Sequence, residues 1–216
     1  MRPGLCGAAV VVLALTALPV GCGSKSPDYQ SIWTKAPTTT ATSTEAPVPF
    51  AQYLESSGVT GEPVAPDKLT DLTVSIPIPP GWEKIEKPNI APTTEMIAKS
   101  GNFPAAMLMV FKLNGDFDPA DVVKHGNADA TLAKNFKLLD QSGANFNGFP
   151  SSMIEGSYDL ADARLHTYNR IVIPTGPAPA RQRYLVQLAV TSRAEQAAPD
   201  AADIQAIIHG FTIAAK

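Results

Sequence analysis

No cysteine follows position 22, and the chain has only Cys6 and Cys22. No disulfide can staple the residues beyond that point, so any fold there rests on its own buried core. Basic charge is also in short supply: 17 Lys and Arg stand against 20 Asp and Glu, for a formal charge of -3. That balance excludes the electrostatic footprint of a protein that tracks a nucleic-acid backbone. Histidines are few and isolated. His125, His166 and His209 have no second ligand at metal-binding spacing, so no zinc or other metal site is expected. Nor does any apolar run reach the roughly 20 residues that a spanning helix needs.

What is present divides into three parts. Arg2 and the initiating amine precede Leu5 to Leu18, an apolar run broken only by Thr16, and together they read as the start of a secretory signal. Pro19-Val-Gly-Cys22-Gly23 follows and resembles the lipobox of bacterial lipoproteins, in which the cysteine is lipidated and becomes the mature N-terminus. Cys22 is therefore the expected lipidation site, with residues 1–21 as signal peptide. From Gly23 to Pro49 the composition turns to Ser, Thr, Ala and Pro without apolar periodicity, as in Ala36 to Pro49. Such a segment buries too little surface to offset its ordering entropy and serves as a tether. Its threonines are either acceptors for O-linked sugars or a plain spacer, and Tyr29 and Trp33 are read as linker aromatics. The expected organisation is thus 1–21 signal, 22–49 lipidated cysteine and disordered tether, and 50–216 one globular domain. A composition 44% hydrophobic and 17% charged suffices for its core.

Within that domain, Phe50, Tyr53 and Leu54 predict a short amphipathic helix stopped by Gly58. Alternation or apolar runs predict strands at Leu72 to Ile76, Glu95 to Lys99, Ala105 to Phe111, Lys137 to Phe146, Ser152 to Leu160, Arg164 to Pro174 and Tyr184 to Thr191. The turn at Ala161-Asp-Ala163 joins two of these as a hairpin, and Gly61 to Pro66 reads as turn-rich. Asp118-Pro119 supplies an N-cap and a first-turn proline for a helix extending to about Asn135, across Gly126. After Pro199-Asp200 a last helix carries Ile204, Ile207, Ile208 and Phe211 on one stripe, with Gly210 as terminator. Strands joined mostly by turns, with a long helix between them and one at the end, make the fold class α+β with a mainly antiparallel sheet.

The search for chemistry finds little. Asp116 to Asp121 lacks the glycine and bidentate glutamate of a calcium loop, and helix capping explains Asp118 and Asp121. Ser157, Asp159 and His166 are residue types of a hydrolase, but Gly156-Ser157-Tyr158 is no nucleophile elbow. Alternation from Arg164 places Arg164, His166, Tyr168 and Arg170 on one face of a strand. This stripe is the candidate ligand-binding site, for a sugar, a carboxylate or a lipid headgroup; its alternative is a solvated or internally bonded sheet face.

Pro77-Ile-Pro-Pro-Gly-Trp82, Asn147-Gly-Phe-Pro-Ser-Ser-Met-Ile154, Leu165-His-Thr-Tyr-Asn-Arg-Ile171 and Gln182-Arg-Tyr-Leu-Val-Gln187 resemble the LpqN/LpqT family of mycobacterial lipoproteins. The resemblance implies a PsbP-like three-layer α/β/α sandwich on the extracytoplasmic face of the membrane in the cell envelope, and no catalytic residue, metal or cofactor. Two functional expectations follow. One is a monomeric, tethered binding module for an amphiphilic ligand such as an envelope glycolipid, with Met107, Met109 and Met153 as adaptable lining. The other is an interaction protein that docks on an envelope transporter or enzyme.

Overall fold

The computed structural model describes residues 47–216. The signal segment, Cys22 and the tether up to residue 46 lie outside the described residues. The elements in chain order are α1 (Phe50–Ser56), β1 (Thr60–Pro63), β2 (Leu72–Ser75), β3 (Glu83–Lys84), β4 (Glu95–Ala98), β5 (Ala105–Asn114), α2 (Pro119–Val122), α3 (Ala128–Thr131), β6 (Lys137–Ser142), β7 (Ser151–Leu160), β8 (Ala163–Val172), β9 (Arg183–Arg193), α4 (Ala201–Gly210) and β10 (Thr212–Ala215). Eight strands form one antiparallel sheet in the order β3-β4-β5-β9-β8-β7-β6, with β1 also paired to β5.

The sheet separates two cores, as the continuous apolar runs of its central strands require. On one face Leu108, Val110, Val186, Leu188, Val190 and Tyr168 pack beneath α4, whose stripe of Ile204, Ile207 and Ile208 is buried against them. The β2-β10 pair lies on the same side, with Leu72, Val74 and Ile213 in that core. On the other face Leu113, Ile171, Ile173 and Leu185 meet Phe50 and Leu54 of α1 and Val122 and Val123 of the α2 segment. The result is the three-layer α+β sandwich.

Asp203 fastens α4 to the sheet: Trp82 Nε1 donates to its Oδ2 at 3.1 Å and Lys99 Nζ at 2.8 Å. The ammonium and then the indole hold its carboxyl below the ordinary range. At the far end, the buried Tyr184 hydroxyl donates to Asp71 Oδ1 at 2.8 Å, and burial, followed by that bond, pushes the phenol up to about 12.

The structure departs from the sequence expectations in three places. The helix expected from Pro119 to Asn135 is broken into α2, a 3-10 turn over Val123–His125, and α3. Asp118 caps α2 as expected, accepting from Ala120 N at 2.8 Å. The break falls at Gly126, where a Cβ would lie 2.3 Å from Ser152 Oγ and 3.4 Å from Ile171 Cβ; the segment follows the sheet surface instead of continuing one axis. The strand expected to reach Phe146 ends at Ser142, and a tight hairpin follows. Asn147 and Gly148 both have positive φ, as a two-residue turn of this hand demands, and Phe146 and Phe149 exchange backbone hydrogen bonds across it. Finally, Thr60–Pro63, Glu83–Lys84 and Thr212–Ala215 are strands, although none of them was expected to be.

Candidate ligand-binding site

The four stripe residues lie in one row on β8, facing the α4 side, and β7 supplies many of their partners through the register Met153↔Arg170, Glu155↔Tyr168, Ser157↔His166 and Asp159↔Arg164. His166 Nε2 and Glu155 Oε1 lie 2.8 Å apart, with both side chains almost wholly buried. Arg164 donates to Asp159 Oδ1 at 2.9 Å, Ser157 Oγ at 2.8 Å and the Asn135 carbonyl at 2.9 Å. Hydrogen bonds from Asn135 and then Arg164 hold the Asp159 carboxyl below its usual range. Arg170 donates from Nε to the Tyr168 hydroxyl at 2.7 Å and from Nη1 to Ser151 Oγ at 2.9 Å, and lies 4.8 Å from the Phe146 ring centroid. Burial raises the Tyr168 phenol, which Arg170 partly opposes. The described bonds of the stripe all run to the protein itself.

The open space lies on the opposite face. Helix α1 and the α2 segment cover the part of that face around Leu113, Ile171 and Leu185; on the other part Met96, Ala98 and Ala105 are buried with Ile85, Ile90 and Met107 packed against them. There β4, β5 and β9 form the floor of a groove of about 680 Å³ with Met96, Ala105, Met107 and Thr191, while Tyr158 and Leu160 of β7 form its far wall. Leu160 is 53% exposed. Burial raises the Tyr158 phenol above its ordinary range. The near wall is the loop that begins at Ile85. On that loop's other side lies a second cleft of about 690 Å³, and Lys87, Ile90 and Met96 line both.

A third, smaller hollow of about 440 Å³ is walled by the α2 segment and the ends of β6 and β7. It is lined by Lys124 and by polar groups such as Gln141, Asn145 and Ser151, and Asn127 Oδ1 and Ser152 Oγ are buried there without a hydrogen-bond partner. Among the described residues, no group of three or more His, Cys, Asp or Glu is placed to hold a metal. No helix among them is long and apolar enough to cross a membrane.

Sequence reasoning singled out Met107, which lines the groove, but missed Met96, Tyr158, Leu160 and Lys87. Met153 faces the α4-side core.

A three-layer α+β sandwich with hollows on its incompletely covered face is the class that fold and surface define. The chain belongs to the family described as "Probable lipoprotein LpqN", which matches residues 46–214. It is 63% identical to the lipoprotein LpqT of Mycobacterium tuberculosis over 218 residues, covering 100% of this chain and 96% of the relative. Among solved structures it is similar to LpqN of the same organism, described as involved in cell envelope biogenesis, with a TM-score of 0.66 at 20% identity over 78% of this chain and 99% of that one. A looser match is to cyanobacterial PsbP from Synechocystis, with a TM-score of 0.43 at 11% identity over 68% and 94% of the two chains. The chain is accordingly a lipoprotein of that family.

Proposed function

We propose that this protein is a non-enzymatic binding module that holds an amphiphilic envelope ligand, a lipid or glycolipid, at the end of a tether. In this reading residues 1–21 are removed, Cys22 carries the lipid, residues 22–49 are the spacer and residues 50–216 are the binding domain. The observation that carries it is the groove of about 680 Å³ beside β4, β5 and β9, whose lining of Met96, Ala105 and Met107 suits an acyl chain and whose rim carries Lys87, Asn89 and Asn102. The envelope setting described for LpqN supports the same assignment. Of the stripe of Arg164, His166, Tyr168 and Arg170, His166 and Tyr168 are buried, and Arg170 enters as a second contact through its bond to Ser151 at the wall of the smaller hollow.

Native mass spectrometry of the protein purified from an envelope extract tests the reading. A retained lipid supports it, and a ligand-free protein that also fails to take up added amphiphiles refutes it. The alternative, a docking subunit for an envelope transporter or enzyme, is favoured by Leu132 and Leu138, which are 48% and 45% exposed around the α3-β6 connection.

A further inference from the structure

Lys87 is the single charged residue among those that line the groove, and it also lines the neighbouring cleft. It is half-buried. The bond found for its ammonium is to the Asn102 amide oxygen, and among the described residues no carboxylate stands within ion-pair distance of it. The carboxylates of the other cleft are Glu95, paired with Lys84 at 3.1 Å, Asp67, paired with Lys68 at 2.7 Å, and Glu86, whose exposed side chain precedes Lys87 in the loop. The groove therefore joins an apolar floor to one cation at its near wall, with Asn89 and Asn102 beside it and the Tyr158 hydroxyl across from it.

A lone ammonium on a partly desolvated wall recognises a negative headgroup, because an ionised acceptor gives the shorter and stronger hydrogen bond. A neutral sugar headgroup gains nothing from that charge, and a cationic one is repelled by it. We propose that the groove selects anionic single-chain amphiphiles, such as a fatty-acid carboxylate, with the headgroup on Lys87 and Asn102 and the chain laid over Met96, Ala105 and Met107 toward Leu160. The assignment rests on the binding-module reading above and adds the charge of the ligand to it.

Isothermal titration at pH 8 tests it on the mature chain, residues 22–216, carrying Cys22→Ala so that its own acyl groups do not compete. Three twelve-carbon probes are compared below their micellar concentrations: dodecanoate, dodecyl maltoside and dodecyltrimethylammonium. Dodecanoate is expected to bind roughly five- to tenfold more tightly than the neutral probe, with the cation weakest. Lys87→Gln should bring dodecanoate down to the neutral probe's affinity and leave that probe unchanged, while Lys87→Arg retains the preference. Met107→Ser, in the floor, removes apolar surface without adding charge and should weaken all three probes. Circular dichroism and thermal unfolding verify that each variant is folded.

If the neutral probe binds and dodecanoate is no tighter, or if Lys87→Gln weakens both alike or leaves the preference intact, the charge selection is overturned while the binding-module reading stands. If none of the three binds, the groove reading itself falls and the inference with it.

Discussion

Replacing Gly156 by alanine sets two opposed effects against each other, and the structure decides the sign. In an open strand position alanine outdoes glycine by about 0.5–1 kcal/mol, because it loses less backbone entropy on folding. At Gly156, however, a Cβ would lie 2.4 and 2.5 Å from Cζ and Cε2 of Phe136 and 2.7 Å from the Lys137 carbonyl oxygen. The ring can turn aside, but the carbonyl belongs to β6, which is paired to β7 at this point. Overpacking of this kind costs about 1–3 kcal/mol, so a net loss of about 1 kcal/mol is expected. For a domain of this size that lowers Tm by about 2–4 °C. Thermal scans and urea titrations read it, with the midpoint displaced and the slope unchanged. In a Phe136→Ala background the ring contacts vanish and the carbonyl contact remains, so Gly156→Ala should cost less there without becoming neutral. A raised Tm, or an identical cost in both backgrounds, would refute the packing argument.

Three further outcomes are expected. Asp203 has a folded-state pKa below its unfolded value, so its contribution is complete above 3.8 and is lost as the pH falls through the folded value. Asp203→Asn should therefore lower stability at neutral pH and flatten the acid limb of a stability-versus-pH curve; a wild-type acid limb in the variant would contradict this. Arg170→Ala removes the bonds to Tyr168 and Ser151. A lowered melting temperature with unchanged amphiphile affinity would eliminate the stripe from recognition, whereas weakened binding at near-native stability would support it. Cys22→Ala should leave the protein unlipidated and released from membranes, since the tether offers no other apolar anchor; retention on membranes in high salt would contradict the lipidation site.

What was legible in the sequence was legible for local reasons. Strands β5, β7, β8 and β9 announce themselves by unbroken or alternating apolar residues, and α4 by Ile204, Ile207 and Ile208 on one stripe. β10 does not: Thr212–Ala215 is short and becomes a strand only because Leu72–Ser75 lies beside it, far away in sequence. The break near Gly126 is set by Ser152 and Ile171, which the local pattern of residues 119–135 does not report. The site divides in the same way. The period of two correctly lined up Arg164 to Arg170, but their partners Glu155, Ser151 and Asp159 come from cross-strand register. The groove arises where helices stop short of covering a sheet, so its floor draws on three strands and no contiguous motif marks it. Lys87, in a proline-bearing loop, carries no signature beyond its charge.

The position of β9 bears on how an exported chain reaches this fold. β9 sits between β5 and β8, and β4-β5 and β6-β7-β8 have no other strand to join them in the sheet. Only when residues 183–193 have emerged can the two halves close, and α4 and β10, which finish one core, follow later still. A chain threaded across a membrane N-terminus first thus remains two unclosed ribbons for most of its passage, its stable form deferred until nearly the whole length is on the far side.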